Sequence, residues 1–269
     1  MTTPDTLTST DILERSRADW NQESRSGQSR WCIPVDRAAI ERARVGDWSV
    51  ILTPNIPVPR AWFGDVRGRD VLCLASGGGQ QAPLFAAAGA RVTSFDLSDE
   101  QLAKDRLVAE REGLPMTCLR GNMADLSPLP DASFDLIFHP VSNVFAEDVR
   151  PVWRECFRGL RPGGALLAGF MNPLFYLFDH EDLRSGGPLL VKYPLPYSDP
   201  TCPDPAAKAR WLQSGLAAEF SHSLDTQIGG QLAVGFMLTG FYEDRWSDEV
   251  TPINRYTPMY LATRALKPL

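Results

Sequence analysis

The residues of this 269-residue chain best placed to do chemistry are a glycine run and a single acid. Ser76-Gly77-Gly78-Gly79 follows an apolar run, Asp70-Val71-Leu72-Cys73-Leu74-Ala75, and precedes a helical pattern. Glycines at such a junction let main chain pass close to a ligand and adopt conformations closed to other residues. Asp96 ends the next apolar run, Arg91-Val92-Thr93-Ser94-Phe95, where its carboxylate can accept from both hydroxyls of a ribose. Its distance from the loop is near the roughly 20 residues of a nucleoside-binding unit. The loop lacks the Lys-Ser/Thr ending of a phosphate-gripping loop, which argues against nucleotide triphosphate hydrolysis. Gly77-x-Gly79-x-x-Ala82 satisfies the dinucleotide fingerprint, so an NAD(P)-dependent oxidoreductase is an alternative; it requires an all-parallel sheet.

These residues need a scaffold, and the middle of the chain alternates strand-like and helix-like runs, the pattern of an α/β domain with a parallel sheet. After the strand at 70–75, a helix is expected over 80–88, with Pro83 in its first turn and Gly89 as its stop. Ser98 and Gln101 have the spacing of a capping box that opens the next helix, to about Glu112. Further strands are expected at Met116 to Arg120, Phe134 to Phe138 and Ala165 to Phe170. Between the last two, Trp153, Cys156, Phe157 and Leu160 recur at helical spacing, and Arg161-Pro162-Gly163-Gly164 stops that helix. Phe236 to Tyr242 and Met259 to Thr263 read as two more strands with no helical pattern between them, hence an antiparallel edge.

Composition narrows the partners. With 27 Lys+Arg against 33 Asp+Glu the formal charge is −6, which argues against nucleic acid and against an anionic membrane surface. No stretch reaches the roughly 18 apolar residues of a membrane span. The richest, Ala165 to Phe178, is broken by Asn172 and Pro173. Met1 to Thr10 has neither the basic region nor the apolar run of a signal peptide and reads as a polar tail. The five cysteines, Cys32, Cys73, Cys118, Cys156 and Cys202, form no CxxC pair, so a reduced, cytoplasmic protein is expected.

Two regions fall outside the alternating pattern. Residues 11–66 hold Trp20, Trp31, Trp48 and Trp62; residues 171–222 hold Phe175, Tyr176, Phe178, Tyr193, Tyr197 and a Pro/Asp-rich run. Long stretches of this kind are usually functional. The expected organisation is therefore a tail and helical, aromatic cap over 1–66 and a core over 67–269, with 171–222 as an acceptor-side insertion.

The ordered motifs carry a family likeness. Val71-Leu72-Cys73-Leu74-Ala75-Ser76-Gly77-Gly78-Gly79, Phe95-Asp96-Leu97-Ser98, Gly121-Asn122-Met123-Ala124-Asp125-Leu126, Phe134-Asp135-Leu136-Ile137 and Leu160-Arg161-Pro162-Gly163-Gly164 stand in sequence. Together with a tail at 235–244 and 258–264, this set resembles the class I S-adenosylmethionine-dependent methyltransferase family, of its small-molecule type. The likeness implies a Rossmann-like seven-stranded sheet, mostly parallel with the last strand antiparallel, plus an N-terminal cap and an insertion after the fifth strand. It implies that main chain around Ala75, Ser76, Gly77 and Gly79 embraces the methionyl part of the cofactor. Asp96 would hold the ribose, with Leu97, Asn122 and Met123 around the adenine and His139 and Pro140 near the sulfonium. Two departures stand out: the family's usual first-strand acid and loop-opening glycine are Cys73 and Ala75 here, and its usual acid after the third strand is Asn122. Asn keeps an acceptor and adds a donor.

Methyl transfer from a sulfonium is an in-line displacement, for which an enzyme chiefly aligns the partners and excludes water. His139 is the candidate general base, since imidazole titrates near neutral pH. His180 and His222 read as surface or capping residues, and Asp179-His180-Glu181-Asp182 as an acidic helix start, so no metal is assigned. His139-Pro140-Val141-Ser142 differs from the Asn/Asp-Pro-Pro-aromatic run of enzymes that methylate amide or base amino nitrogens. A compact, partly apolar small-molecule acceptor is expected, with Tyr176, Phe178 and Tyr193 as pocket walls. Besides the oxidoreductase, a non-catalytic S-adenosylmethionine-binding protein is the other alternative.

Overall fold

The computed structural model describes residues 7–248 and 250–269. Seven strands form one sheet: β1 (Asp70–Leu74), β2 (Arg91–Asp96), β3 (Met116–Arg120), β4 (Phe134–His139), β5 (Leu160–Met171), β6 (Met237–Asp244) and β7 (Tyr260–Leu266). Their order is β3-β2-β1-β4-β5-β7-β6. β1 to β5 pair in parallel, while β7 runs antiparallel to both β5 and β6. The chain leaves β1 toward β2 on one side and returns to β4 on the other, so a crevice opens over the ends of β1 and β4. The antiparallel β7 contradicts the all-parallel sheet that the oxidoreductase alternative required.

Period-two alternation explains the two-sided core. Val71 and Cys73 point to one face, among Leu52, Phe63, Phe85 and Phe138. Leu72 and Leu74 point to the other, among Phe95, Ile137, Trp153 and Leu166. Seven helices matter to the site: α1 (Ser9–Ser26), α2 (Arg37–Arg44), α3 (Gln81–Ala87), α4 (Asp99–Glu112), α5 (Arg150–Gly159), α6 (His180–Arg184) and α7 (Pro205–Ser214). Among the described residues no helix is long and apolar enough to cross a membrane.

Several expectations move. Of the polar tail at 1–10, residues 1–6 lie outside the described residues, but Ser9 and Thr10 are helical, because Thr8 and Asp11 form a reciprocal cap for α1. At the start of α4, Ser98 accepts from the Gln101 N–H, but the Gln101 side chain does not reach back, so half of the capping box is present. β5 begins at Leu160 and absorbs the Arg161-Pro162-Gly163-Gly164 stop through a register shift against β4. β6 and β7 each run further toward the C-terminus than expected: β6 continues through the polar Glu243 and Asp244, and β7 passes the charged Arg264 to end at Leu266.

α1 is fastened at two places. Asn21 Oδ1 accepts from Ser98 Oγ (2.7 Å) and Glu100 N–H (3.1 Å), and Arg17 pairs with Asp99 at the first turn of α4. The Arg15 guanidinium donates to the Trp211 and Leu212 carbonyls of α7. This double docking lays α1 across the strand ends.

Candidate active site

A cleft of about 280 Å³ opens over the C-terminal ends of β1, β2 and β4. Its floor is Ala75, Ser76 and Gly77 after β1, Asp96 and Leu97 at β2, Asn122 and Met123 after β3, and Pro140 after β4. Its roof comes from elsewhere: Ser16 and Trp20 of α1, Trp31, Thr53, Glu219, Trp246 and Tyr260. Val141 N–H donates to the Leu52 carbonyl (3.1 Å), which ties the 50–54 segment to the chain leaving β4.

The loop after β1 is held open by specific contacts. Ala75 has φ 48°, a left-handed conformation in which its N–H donates to the Phe95 carbonyl (2.8 Å). The glycine that the family likeness leads one to expect there would take that conformation without strain. Gly77 is required by close approach: a Cβ on it would lie 2.8 Å from Gln101 Cβ and 3.2 Å from Asp96 Oδ2. The Asp96 carboxylate accepts from Gly77 N–H (3.0 Å) at Oδ2 and from Ser98 N–H (2.9 Å) at Oδ1. Burial pushes its pKa up, and the N–H groups of Ser98, Gly77 and Leu97 pull it back. Each oxygen keeps capacity for one more donor, which suits a pair of vicinal hydroxyls. Two buried polar atoms on the same wall, Ser76 Oγ and Gln101 Oε1, have no hydrogen-bond partner among the described residues. Buried orphans of this kind call for a ligand's hydrogen bonds.

The sequence-predicted residues divide. Ala75, Ser76, Gly77, Asp96, Leu97, Asn122, Met123 and Pro140 stand together on the wall. Asn122 Oδ1 is engaged by Ala124 N–H (3.0 Å), which leaves its NH₂ as the polar group to offer. Gly79 does not reach the cleft: its N–H donates to Asp105 Oδ1 (2.7 Å) and its carbonyl accepts from Val35 N–H (2.8 Å), both on the far side of the loop. Asp105 also accepts from Ser94 Oγ (2.6 Å) and is fully buried, and this desolvation raises its pKa to about 7. It anchors the loop from α4, whereas the first-strand position where the family places an acid, Cys73, is buried in the core.

His139 is corrected outright. It is 0% exposed and off the cleft wall, because alternation along β4 turns it to the face of Ile137, edge-on to Trp153 of α5. One ring nitrogen lies 3.1 Å from the Leu74 carbonyl and the other 2.7 Å from the Asn143 side chain. Burial lowers its pKa against the opposing pull of those two contacts, and it is a structural histidine with no free nitrogen for a substrate. The expected aromatic walls also miss the cleft. Tyr176 is buried behind it and donates its hydroxyl to Glu219 (2.8 Å), Tyr193 donates to Asp179 (2.7 Å), and Phe178 is not among the residues that line the cleft. His222 lies within 3.0 Å of the Asn143 carbonyl and 2.9 Å of that of Ala146, closing a short turn. Asp179 caps α6 through Glu181 and Asp182 N–H, and among the described residues no three His, Cys, Asp or Glu side chains converge as metal ligands.

Sequence reasoning missed Ser16, Thr53, Glu219, Trp246 and Tyr260. The tryptophan-rich first region, read as a cap over the strand ends, was the one available signal; it holds Trp20 and Trp31, which line the cleft, but did not single them out. A second cavity, of about 270 Å³, adjoins the first and shares Trp20, Phe145 and Glu219 with it. Its other walls include Asp19, His180, Tyr193, Asp199 and Arg210.

Comparison with known proteins agrees with this geometry. The methyltransferase-domain family matches residues 72–168. The uncharacterized methyltransferase YbaJ of Bacillus subtilis is 46% identical over 256 residues, covering 95% of this chain and 98% of its own. A sterol 24-C-methyltransferase of Aspergillus fumigatus is 33% identical over 105 residues, 38% of this chain and 28% of that one. Among solved structures, an S-adenosylmethionine-dependent methyltransferase of Mesorhizobium loti superposes with TM-score 0.58 at 22% identity, over 77% of this chain and 94% of that one. The 1,6-didemethyltoxoflavin-N1-methyltransferase of Burkholderia thailandensis, solved with S-adenosylhomocysteine, superposes with TM-score 0.59 at 16% identity, over 100% of this chain and 94% of its own. Near-full-length identity to a methyltransferase, carried on this sheet order, makes the chain a member of the class I S-adenosylmethionine-dependent methyltransferase family.

Proposed function

We propose that this methyltransferase acts on a small-molecule acceptor bound in the roofed cleft, in the cytoplasm, with residues 1–66 and 171–222 serving as caps on a 67–269 core. The observation that carries the proposal is the cleft itself. Trp20, Trp31 and Trp246 stand over the strand ends, leave about 280 Å³, and no Lys or Arg lines the wall to receive a polyanion. The five unpaired cysteines suit a reducing compartment.

When bound, S-adenosylmethionine supplies a methyl carbon already activated by its sulfonium. The chain's task is to hold, align and dry. Asp96 accepts the ribose hydroxyls, Leu97 and Met123 give apolar contact to the adenine, and the Asn122 NH₂ donates to its edge. Ser76 Oγ, Gln101 Oε1 and the main chain of Ala75 and Gly77 serve the methionyl end. Pro140 closes the floor where the acceptor meets the methyl group. Glu219 and Tyr260 are the titratable side chains on the roof, and His139 takes no part in proton transfer.

The test is a transfer assay with tritiated methyl donor and fractionated extract of the source cells. Label recovered in the low-molecular-weight fraction is expected. Label confined to the protein or nucleic-acid fractions would overturn the small-molecule acceptor while leaving the family membership intact.

A further inference from the structure

We propose that the acceptor is an organic cation, an amine-bearing molecule whose protonated nitrogen is held by Glu219 among the rings of Trp20, Phe145 and Tyr260. The proposal rests on the small-molecule reading of the cleft and adds its chemical class.

Glu219 is the one acid on the walls of both cavities, where it stands with Trp20 and Phe145. Its main chain is pinned. The Glu219 N–H donates to Asp199 Oδ2 (2.8 Å), its carbonyl accepts from Asp199 N–H (3.1 Å), and Phe220 N–H donates to the Val144 carbonyl (2.7 Å). Oε2 accepts from the hydroxyl of Tyr176, itself 1% exposed, so the carboxylate is oriented from behind by a rigid donor. No protein hydrogen bond reaches Oε1 and no basic side chain pairs with Glu219 among the described residues. Arg184, the cation near enough to influence it, lines the second cavity and not the cleft.

The surrounding charges do not supply the missing partner. Asp19 and Asp199 are nearby acids, already engaged by Ala217 N–H and by Tyr197 and Glu219 respectively. Burial raises the Glu219 pKa, and burial first, then the charge of Glu219, raises that of the Tyr260 hydroxyl. A half-buried carboxylate without a cation carries a desolvation cost, and a bound ammonium offsets it. The neighbouring rings favour the same occupant, since Trp, Tyr and Phe faces attract cations. Trp20 and Phe145 meet edge to face at 5.5 Å, which fixes their orientation. An anionic acceptor would meet repulsion from Glu219 with no basic residue on the cleft wall to offset it.

The test uses full-length protein saturated with S-adenosylhomocysteine and three probes of similar shape: 2-phenylethylamine, 2-phenylethanol and 3-phenylpropionate. Calorimetry at neutral pH is expected to show the amine binding at least about tenfold more tightly than the alcohol, with the carboxylate weakest. Glu219→Gln is expected to bring amine and alcohol within about threefold while S-adenosylhomocysteine affinity is unchanged. Equal or tighter binding of alcohol or carboxylate, an amine preference that survives Glu219→Gln, or no binding of any probe to the loaded protein would overturn the proposal. If the Gln variant does not fold, the wild-type series decides alone. Wild-type protein that fails to bind S-adenosylhomocysteine would sink the cofactor site as well, which separates the two failures.

Discussion

At its proposed adenosyl end the cleft is walled by residues between 75 and 123, most of them at or just beyond the ends of β1, β2 and β3, with Gln81 of α3 and Gln101 of α4 beside them. At its proposed acceptor end the wall is assembled from Ser16, Thr53, Phe145, Glu219 and Tyr260, which no local motif unites. The first end inherits its geometry from hydrogen-bonded strands, so Asp96 and the glycine loop are placed by the sheet register. The second depends on α1 docking against α4 and α7, and on the pairing of Asp199 with Glu219. The sheet can therefore hold one end of the cleft rigid, while the other is built by elements that touch the sheet only at their ends.

Separate substitutions should break the two ends independently. Asp96→Ala is expected to weaken S-adenosylhomocysteine about 100-fold or more by calorimetry, because two ribose hydroxyls lose a charged acceptor. Affinity retained within a few-fold would mean the ribose is held elsewhere. Trp20→Ala removes roof contributed by α1, over the proposed acceptor end. It should raise the acceptor KM about tenfold with S-adenosylhomocysteine affinity nearly constant, and a matched loss of both would show that the ends are coupled.

A smaller effect tests the anchor beneath the loop. The buried Asp105 carboxyl titrates at about 7 in the folded protein against 3.8 ordinarily. The folded state thus holds its proton longer than the unfolded chain, and stability should fall as pH rises from about 4 to about 7. Asp105→Asn should flatten that slope and raise Tm by a few degrees above neutral pH, read by thermal unfolding across pH. An unchanged slope would place the pH dependence in another group. The smallest effect is Ala75→Gly. Relief of a left-handed alanine, partly offset by glycine's greater unfolded entropy, should stabilise by about 0.5 kcal/mol in urea titration.

The strands, and the gathering of the residues at their ends on one cleft wall, were legible because they obey local rules. Val71 to Leu74 are buried on both faces of the sheet and form a continuous apolar run, while Asp96 announces itself by ending one. His139 shows where such rules stop. It also ends an apolar run, but period-two alternation points it into the core beside Trp153, and a one-residue phase difference separates a cleft base from a structural imidazole. Tyr176 failed for a related reason: an aromatic-rich segment announces packing, and only its neighbours decide whether a ring faces a ligand or, as here, a carboxylate behind the wall.

Residue order alone specified the alternating α/β core, the loop that must bend after β1 and the acid that must end β2, since these follow from periodicity, turn chemistry and spacing along one stretch of chain. Packing between distant segments settled the roof, the exclusion of His139 and the exposure of Glu219 to the cleft. Those outcomes depend on which segments meet in space, as when Glu219 finds Asp199 and Tyr176, and such meetings leave no periodic trace in the sequence.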